Sequence, residues 1–554
     1  MILTGAQIIV ETLIEQGCEV VFGYPGGFVL NIYDELYKSR SRIKHIITAH
    51  EQGAAHAADG YARASGKVGV VMATSGPGVT NLTTGIANAY LDSTPLVAIT
   101  GNVPLSALGK DSFQEVDSTG ITMPITKHNY IVKDVKDLAD TIREAFLIAK
   151  SGRPGPVLVD VPKDVQIAKW EYTPAETVEK KPNPQPDREL IDLAVRYISE
   201  SKKPYIYSGG GVVISDTGRE IERLAEVIDS PIGFSMMGLS AVPVTNKRHL
   251  GMTGMHGRYA STKANSESDL IIAVGVRFSD RATGNRSRYA KNAKIIHIDI
   301  DAAEIDKNIN AYVGIVGDIK TTLEEIISRL KPVSHPEWQN EIEAYRREES
   351  SFYPVTDRLI PKTVIEKINA FCDQNTVVAT DVGQHQMWTA QYYAFSSPRK
   401  YLTSGGLGTM GFGMGAAIGG CIASNKAKTV LITGDGSFGM NLNEMATAVR
   451  NSLPLVVVIM NNGVLGMVRQ WQTLFYSKRY SETTLHRQTD FVKLADAFGA
   501  KGYRVETAEE LDKVLPRAFS SKTPVIIDCI IDKDEKVFPM IPPNGSFEDI
   551  IVKE

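Results

Sequence analysis

The chain has 554 residues, of which 43% are hydrophobic and 22% are charged, with a formal net charge of −4. This length predicts three or four domains rather than one core, and the composition excludes disordered, fibrous and coiled-coil proteins. Because the charge is nearly balanced and no long basic block occurs, nucleic acid is not expected as a partner.

The N-terminal residues predict a first helix. Thr4 and Gln7 have the spacing of a capping box, and Gly17 is placed to end the helix. No basic leader precedes this apolar pattern, which acidic residues interrupt, so it is not expected to be a signal peptide. Four widely separated cysteines without a CxxC pair favour a reducing compartment, and the expected location is the cytoplasm.

Short runs rich in Val and Ile recur along the chain and alternate with stretches of helical period, such as 138–150 and 321–330. The runs lie at 68–75, 95–101, 156–162, 269–275, 294–301, 429–436, 453–462 and 524–531. Apolar runs without alternation are typical of parallel strands that are buried on both faces. The predicted fold class is therefore α/β, with three doubly wound domains of mainly parallel sheets.

Two segments interrupt this pattern and are predicted to be linkers. They are the proline-rich segment 166–188 and the segment 331–361, which includes a predicted helix over 341–349. The chain is accordingly divided into predicted domains at 1–165, 189–330 and 362–535, followed by a C-terminal tail at 536–554.

Two uncharged stretches, 68–90 and 402–425, are long enough to suggest membrane spans. Both contain many Gly, Ser, Thr and Asn residues, and the second has eight glycines. Such segments insert poorly into lipid, so each is predicted to form a strand, a glycine turn and a buried helix. No membrane association is expected.

The third domain carries a pattern that predicts a magnesium–diphosphate site. One predicted strand ends in Gly434-Asp435-Gly436, and the next ends in Asn461-Asn462. In doubly wound sheets ligands bind beyond the carboxyl ends of the strands, and Mg²⁺ takes a few protein oxygens together with phosphate and water. Asp435 and Asn462 are the predicted side-chain ligands, with the Val464 carbonyl nearby.

The spacing GDG-x24-NN is the signature of thiamine diphosphate enzymes. The surrounding text, GDGSFGMNLNEMATAVRNSLPLVVVIMNNGVLGMVRQWQ, resembles the large catalytic subunit of the acetolactate synthase (acetohydroxyacid synthase) family. The resemblance covers nearly the whole chain and includes the segments GYPGG (23–27), AHEQGAAHAADGYARASG (49–66), TSGPGVTN (74–81), FQEVD (113–117), SGRPGPVLVD (151–160), GMHG (254–257), DRATGN (280–285), HIDIDAAEI (297–305), VGQHQMW (382–388) and SGGLGTMGFG (404–413).

The resemblance implies an enzyme of branched-chain amino acid biosynthesis. Such an enzyme decarboxylates pyruvate and joins the two-carbon unit to a second pyruvate, giving 2-acetolactate, or to 2-oxobutyrate, giving 2-aceto-2-hydroxybutyrate. The implied cofactors are thiamine diphosphate, Mg²⁺ and FAD, the flavin having no redox part in the main reaction. A homodimer with the active site between subunits is implied, while a tetramer and a separate small regulatory subunit remain open.

For thiamine diphosphate, the resemblance implies that Glu51, at the end of a predicted strand over 44–51, contacts the aminopyrimidine ring. A carboxyl held there in a buried place can share a proton with a ring nitrogen. The carbonyl of Gly408 is expected to receive the exocyclic amine, and Met410 to support the bent cofactor. The remaining implied contacts are Gln384, His385, Asp435, Gly436, Ser437, Asn462, Val464, Leu465, Gly466 and Met467.

For the substrate, the resemblance implies that Arg281 binds the carboxylate of the second 2-oxo acid, for which the planar guanidinium is suited. Trp471 is expected to favour the longer acceptor. Phe113, Gln114, Lys127 and Met467 are implied to line the same pocket. Ser279 stands where the family has an aspartate, which puts one contact in doubt.

For FAD, the resemblance implies segments of the middle domain and one arginine of the first domain. The expected residues are Arg153, Gly209, Gly210, Gly211, Gly254, Met255, His256, Gly257, Arg277, Asp280, Arg281, Asp299, Ile300, Gly317 and Asp318.

Other hypotheses remain alongside this one. A thiamine-dependent pyruvate oxidase would share the GDG–NN pattern and FAD, and a catabolic acetolactate synthase would share the thiamine motifs without the flavin segments. Gly406, Gly408 and Gly411 form GxGxxG, which alone is a weak indication of a nicotinamide-dependent dehydrogenase. A non-catalytic scaffold is disfavoured because Glu51, Asp435 and Asn462 are all present.

Overall fold

The computed structural model describes residues 1–175, 182–352, 359–486 and 488–553. Three sheets of six strands each and one two-stranded ribbon form its framework. Within each six-stranded sheet all the pairings are parallel, and helices follow most strands. The predicted α/β class with three doubly wound units is therefore confirmed.

The first sheet has the strand order β3-β2-β4-β5-β7-β6, and the ribbon pairs β1 with β8. The elements of this part of the chain are β1 (Ile2–Thr4), α1 (Gly5–Glu15), β2 (Val20–Gly23), α2 (Leu30–Lys38), β3 (Lys44–Ile47), α3 (Glu51–Ser65), β4 (Gly69–Ala73), α4 (Pro77–Leu91), β5 (Leu96–Asn102), α5 (Ser118–Thr122), β6 (His128–Ile131), α6 (Leu138–Lys150), β7 (Pro156–Pro162), α7 (Lys163–Ile167) and β8 (Lys169–Glu171).

The second sheet has the order β11-β10-β9-β12-β13-β14, so the chain changes direction across the sheet between β9 and β12. Its elements are α8 (Arg188–Glu200), β9 (Pro204–Ser208), α9 (Gly210–Ser215), α10 (Gly218–Val227), β10 (Ile232–Phe234), β11 (His249–Met252), α11 (Tyr259–Glu267), β12 (Leu270–Val274), α12 (Asp280–Thr283), β13 (Lys294–Asp299), β14 (Val313–Val316), α13 (Ile319–Arg329) and α14 (Pro336–Ser350).

The third sheet has the order β16-β15-β17-β18-β20-β19. Its elements are α15 (Pro361–Asn369), β15 (Val377–Thr380), α16 (Gln384–Tyr392), β16 (Tyr401–Leu402), α17 (Phe412–Ala423), β17 (Thr429–Gly434), α18 (Asp435–Asn441), α19 (Met445–Arg450), β18 (Leu455–Asn461), α20 (Gly466–Phe475), α21 (Phe491–Ala497), β19 (Lys501–Val505), α22 (Ala508–Ser520) and β20 (Val525–Ile530).

Local sequence accounts for the individual elements. Each of the eight predicted apolar runs contains a strand, and the central strands are buried along their length. In α1 the predicted capping box is present, with Gln7 N donating to Thr4 Oγ1 and Thr4 N donating to Gln7 Oε1. The helix ends before Gly17, which has the left-handed φ of 75° expected of a stop signal.

The first and third parts of the chain contact each other through α3 and α17. A Cβ atom at Gly419 would lie 1.9 Å from the carbonyl oxygen of Ala57, and one at Gly60 would lie 2.3 Å from that of Ala416. Glycine at these positions lets the two helix backbones touch. The two outer sheets are thus joined by a helix pair that admits no larger residue at its centre.

The described parts of both predicted linkers contain secondary structure and buried side chains. In the segment 166–188, residues 166–175 include β8 and the buried Tyr172. Residues 176–181 lie outside the described residues. In the segment 331–361, α14 carries the buried Trp338, whose indole N–H donates to the carbonyl of Pro204 at 3.0 Å. The predicted helix over 341–349 is confirmed as part of α14, and 353–358 lie outside the described residues.

The C-terminal residues 536–553 fold back onto the middle sheet. Ile541 N donates to the carbonyl of Met255 at 2.8 Å, and Asn285 N donates to that of Gly545 at 2.9 Å. Arg288 forms ion pairs with Glu548 and Asp549. Among the helices of the described ranges, none combines the length and apolarity that crossing a bilayer requires.

Candidate active site

The predicted metal ligands lie at the carboxyl edge of the third sheet. β17 and β18 are parallel neighbours with Gly434 opposite Met460, so Asp435 and Asn462 follow adjacent strand ends. Asp435 is buried, and Asn462 Oδ1 accepts from Val464 N at 3.1 Å. Asn461 is directed elsewhere, because its Nδ2 donates to Asp528 Oδ1 at 2.8 Å.

The donor set at this edge fits Mg²⁺ rather than a transition metal. In the described part of the chain no group of three or more His, Cys, Asp or Glu side chains is arranged to hold a metal ion. One carboxylate, one amide oxygen and one backbone carbonyl are what Mg²⁺ uses when phosphate and water complete its octahedron.

Next to this edge, the N-terminus of α16 brings Gln384 and His385 into the site. Gln384 Oε1 lies 3.4 Å from Asn462 Nδ2, and its Nε2 donates to Gln470 Oε1 at 3.0 Å. His385 is buried, and burial lowers the pKa of its imidazole to about 3, so the ring is neutral. Its Nε2 is buried without a hydrogen-bond partner among the described residues, as a ligand-binding atom would be.

The loop 403–411 carries the predicted Gly408 and Met410. Gly408 has φ 70°, and a Cβ built there meets no atom closer than Val382 Cγ1 at 4.0 Å, so this backbone faces open space. Met410 Cε and Leu465 Cδ2 lie 3.8 and 2.9 Å from a Cβ built at Gly436. The predicted residues of the two loops therefore converge.

Two aspartates that the sequence analysis missed hold this loop. Asp381 Oδ1 accepts from Gly411 N at 2.7 Å and Gly413 N at 3.2 Å, and burial raises the pKa of its carboxyl to about 6. Asp92, at the end of α4 in the first domain, accepts from Gly405 N at 3.0 Å and Gly406 N at 2.7 Å. No sequence pattern distinguishes Asp92, since it follows a helix whose partner loop is distant in the chain.

A cavity of about 1270 Å³ extends from this loop to the middle sheet. From the third domain it is lined by Gly408, Met410, Met467 and Trp471, among others. Ser437 lies beneath, where its hydroxyl donates to the carbonyl of Val382 at 2.7 Å, and Gly466 packs against Gln384. The glycines of the GxGxxG match lie in this loop between β16 and α17, which is the wall of the cavity.

Arg281 reaches the same cavity from the middle domain. It lies on α12, after β12, and its guanidinium carbon is 5.7 Å from the centroid of the Trp471 ring. Its Nη1 also lies 3.8 Å from Met255 Sδ. Met467 precedes Trp471 by one helical turn on α20. The structure therefore brings together three of the predicted substrate residues.

Most of the predicted FAD residues line the other end of this cavity. It is reached by the loops after β9 and β12, where the chain changes direction across the sheet, as expected for a dinucleotide site. The lining includes Arg153, Gly210, Gly211, Met255, His256, Arg277, Asp280, Arg281, Asp299, Ile300 and Asp318. Gly209, Gly254, Gly257 and Gly317 belong to the adjoining turns and do not line it.

Charge and burial at this end suit a bound ligand. Burial raises the pKa of Asp299 to about 6 and lowers that of His256 to about 4. His256 Nδ1 is buried with no hydrogen-bond partner in the described ranges. Arg153 bridges from the first domain to Glu304, with Nη1 and Oε1 2.6 Å apart.

Apart from Arg153, the predicted residues of the first domain do not line this cavity. Glu51 is the first residue of α3, and β3 ends at Ile47, so the prediction that its strand continues to Glu51 is wrong. Its Oε2 accepts from Asn81 Nδ2 at 3.0 Å. Glu51 is only half-buried, and Phe113 is 82% exposed next to Gln114, which has φ 60°.

Lys127 also lies outside the lining of the larger cavity. Its Nζ donates to the carbonyls of Ile148 and Ser151 at 2.6 and 2.7 Å, so its charge lies against the C-terminus of α6. It borders a smaller cavity of about 700 Å³, which Arg153 and Arg281 also line.

Family models for thiamine pyrophosphate enzymes match three parts of the chain. The N-terminal TPP binding domain matches residues 3–121, the central domain 191–326 and the C-terminal TPP binding domain 381–529. Each of the three matches falls on one of the three six-stranded sheets.

Curated relatives match nearly the full length. The chain is 46% identical to an acetolactate synthase of Mycobacterium leprae, over 99% of this chain and 90% of the relative. It is 44% identical to a probable acetolactate synthase large subunit of Methanocaldococcus jannaschii, over 99% of this chain and 95% of the relative. It is 42% identical to an acetolactate synthase large subunit of Haemophilus influenzae, over 100% of this chain and 98% of the relative. The chain therefore belongs to the acetolactate synthase large-subunit family of thiamine pyrophosphate enzymes.

Proposed function

We propose that this chain converts two molecules of pyruvate into 2-acetolactate and CO₂, and pyruvate with 2-oxobutyrate into 2-aceto-2-hydroxybutyrate and CO₂. The observation that carries the proposal is the shared cavity of Gly408, Met410 and Trp471 from the third domain with Arg281 from the second. It combines a cofactor-binding loop with a cation for an acceptor carboxylate. Both products are precursors in branched-chain amino acid biosynthesis.

The diphosphate and its metal are assigned to the carboxyl edge of the third sheet. Asp435, Asn462 and the Val464 carbonyl would bind Mg²⁺. Around them, the diphosphate would be bound by Gln384, His385, Gly436, Ser437, Leu465, Gly466 and Met467. The unpartnered Nε2 of neutral His385 supports this assignment, since a phosphate oxygen would complete its hydrogen bonding.

When bound, thiamine diphosphate supplies a nucleophilic carbon and an electron sink for the loss of CO₂. In this chain Glu51 would hold a proton at a nitrogen of the pyrimidine ring, and Asn81 would orient its carboxylate through the 3.0 Å hydrogen bond. The Gly408 carbonyl would accept from the amine, and Met410 would pack against the ring system.

Arg281 would bind the carboxylate of the accepting 2-oxo acid through the two parallel N–H groups of its guanidinium. Trp471 would bound the space for the acceptor side chain and favour the ethyl group of 2-oxobutyrate. Phe113 and Gln114 would cover the substrate and exclude water, which would otherwise protonate the two-carbon unit before it reaches the acceptor.

We propose a homodimer, and the positions of the first-domain residues support it. Glu51, Phe113 and Gln114 do not line the cavity of their own chain, and Phe113 is largely exposed. A second copy could supply them to that cavity, because its first domain would face the third domain of this chain. Each active site would then use residues of two subunits; a tetramer and a separate regulatory subunit are compatible with this arrangement.

FAD is assigned to the middle-domain end of the cavity and given no redox part. Gly210, Gly211 and Asp318 would bind its phosphates and ribose, and His256 and Arg277 its rings and polar edge; all five line the cavity. The reaction itself is redox-neutral, since two 2-oxo acids give one hydroxy-oxo acid and CO₂. We also keep the domain bounds 1–165, 189–330 and 362–535, the tail 536–554, and a cytoplasmic location as proposals.

The test uses protein stripped of cofactors and assays acetolactate formed from pyruvate. Product is expected only when thiamine diphosphate and Mg²⁺ are both supplied, and Glu51→Gln should reduce kcat by about 10²-fold or more. Asn462→Ala should raise the Mg²⁺ concentration required, whereas Asn461→Ala, its neighbour bound to Asp528, should not.

Two outcomes would contradict the proposal. Acetolactate formation without thiamine diphosphate would exclude this mechanism. Bleaching of bound flavin by pyruvate at the rate of turnover would identify an oxidase instead, because an oxidase must pass its electrons to the flavin.

A further inference from the structure

Glu444 is a buried carboxylate of the third domain that contacts the segment just before Glu51. It lies in a 3-10 turn, Leu442–Glu444, directly after α18. Ala49 N donates to both of its oxygens, at 3.2 and 3.1 Å, and His50 N donates to Oε1 at 3.0 Å. Thr447 Oγ1 donates to Oε2 at 2.7 Å.

The first domain leaves space for this carboxylate. A Cβ atom at Gly53 would lie 2.1 Å from Glu444 Oε1, a distance that no side chain can occupy. Glycine at this position in the first turn of α3 therefore admits Glu444 from the other domain. The fit requires a long side chain that ends in an acceptor, because Ala49 N and His50 N both donate to it.

No cation forms an ion pair with Glu444 in the described part of the chain. Glu444 is fully buried, and this burial raises the pKa of its carboxyl. Hydrogen bonds from Thr447, Ala49 and His50 oppose that shift. A buried carboxylate satisfied by backbone amides of another domain fixes those amides, since each would be left unpaired if it moved.

We infer that Glu444 is a positioning residue, which fixes the backbone of residues 49–51 and thereby the placement of the Glu51 carboxylate. The inference rests on the proposed role of Glu51 at the cofactor. Glu444 fixes the position of the backbone that precedes Glu51. Asn81, which lies on α4, then orients the Glu51 carboxylate through its hydrogen bond.

The first experiment measures backbone hydrogen exchange at Ala49 and His50 in protein without cofactors. Glu444→Ala should increase exchange at both amides by at least about tenfold, because it removes their acceptor. Glu444→Gln should give an intermediate increase, since one accepting oxygen remains. If Glu444→Ala does not fold, the comparison between Glu444→Gln and the unaltered protein still decides the inference.

Asp269→Ala is the matched control. Asp269 also accepts from two backbone amides, Lys202 N at 2.8 Å and Lys203 N at 3.1 Å, but it precedes β12 at the amino end of the middle sheet. Asp269→Ala should increase amide exchange near residues 202 and 203 and leave the exchange rates of Ala49 and His50 unchanged. Equal exchange increases at Ala49 and His50 in both variants would show general destabilisation and overturn the inference.

The second experiment uses the enzyme with all cofactors. Glu444→Ala should lower kcat by about 10²-fold, with KM for pyruvate changed less than about threefold, because a misplaced Glu51 affects the chemical step. Glu444→Gln should restore part of kcat, and the exchange of the thiazolium C2 proton should slow in parallel. Faster amide exchange with unchanged kcat would overturn the inference.

The two hypotheses fail in different ways. Full activity of Glu51→Gln would refute the proposed role of Glu51, whatever Glu444→Ala does. Unchanged amide exchange in Glu444→Ala would refute the positioning role even if Glu51→Gln is inactive.

Discussion

The guanidinium of Arg281 lies over the indole ring of Trp471, with its central carbon 5.7 Å from the ring centroid. The arginine follows the middle sheet and the tryptophan lies on α20 of the third domain, so this contact spans the cavity between the two domains. A cation over an aromatic face in an exposed place contributes only about 0.5–1 kcal/mol. Because the Arg281 side chain is 63% exposed, its N–H groups remain available to a ligand.

Arg281→Lys should lower kcat/KM for pyruvate by at least about tenfold, because lysine keeps the charge but loses the paired N–H groups. Steady-state kinetics at several pyruvate concentrations would measure this. Arg286→Lys, in the same segment but outside the cavity lining, is the control and should have no effect. A lysine variant with unaltered kcat/KM would exclude two-point recognition of the carboxylate.

Trp471→Leu should change the choice of acceptor more than the overall rate. One methylene in an apolar pocket gives a discrimination of roughly ten- to a few hundred-fold, so enlarging the pocket should reduce the share of 2-aceto-2-hydroxybutyrate about tenfold. Product ratios from mixed pyruvate and 2-oxobutyrate provide the measurement. Phe475 packs edge-to-face against Trp471 but does not line the cavity, so Phe475→Leu should leave the ratio nearly unchanged.

Asp92→Asn should weaken thiamine diphosphate binding by about tenfold, because charge-assisted hydrogen bonds to Gly405 N and Gly406 N hold the cofactor loop. Quenching of tryptophan fluorescence during titration of the apo-protein would give the Kd. Asp59→Asn is the matched control, since Asp59 shares Arg63 with Asp92 but does not contact the loop. An equal loss of affinity in both variants would indicate that the arginine network matters, not the loop contact.

Gly419→Ala should destabilise the protein by about 1–3 kcal/mol, because its Cβ would lie 1.9 Å from the Ala57 carbonyl oxygen. Urea unfolding followed by circular dichroism would show a lower midpoint. Gly27→Ala, where a Cβ meets nothing within 4 Å, should leave the midpoint within error. Equal midpoints for the two variants would mean that α3 and α17 can separate without cost.

Stability should fall as the pH decreases below about 6.5, partly through His256. Burial lowers the pKa of this imidazole from 6.5 to about 4. Below pH 6.5 the unfolded chain binds a proton that the folded protein does not, so this histidine decreases the free energy of unfolding progressively down to about pH 4.

At pH 5 the decrease due to this one group is about 2 kcal/mol. His256→Gln should therefore make the apo-protein less sensitive to acid. Urea midpoints at pH 7.5 and pH 5.0 would measure the difference. A variant whose midpoint shifts as much as that of the unaltered protein would show that His256 is not the responsible group.

The sequence determined the elements and the placement of the two residues proposed as metal ligands. Uninterrupted Val- and Ile-rich runs are stable only as buried strands, and Thr4 with Gln7 defines a helix start locally. Since parallel neighbouring strands end at one edge, the GDG and NN motifs predict that Asp435 and Asn462 follow adjacent strand ends, as they do. Each of these conclusions depends on contacts within short stretches of chain or on a general property of sheets.

Tertiary structure decided which distant groups meet. Asp92 and Glu444 each bind backbone amides of another domain, and the Lys127 ammonium is bound by carbonyls at the C-terminus of α6. Only the packing of whole domains shows that Glu51 lies outside the cavity that Arg281 and Trp471 share. The physical reason is that a buried charge acts over a few ångströms, and those distances are set by the packing of α3 against α17 and not by separation along the chain.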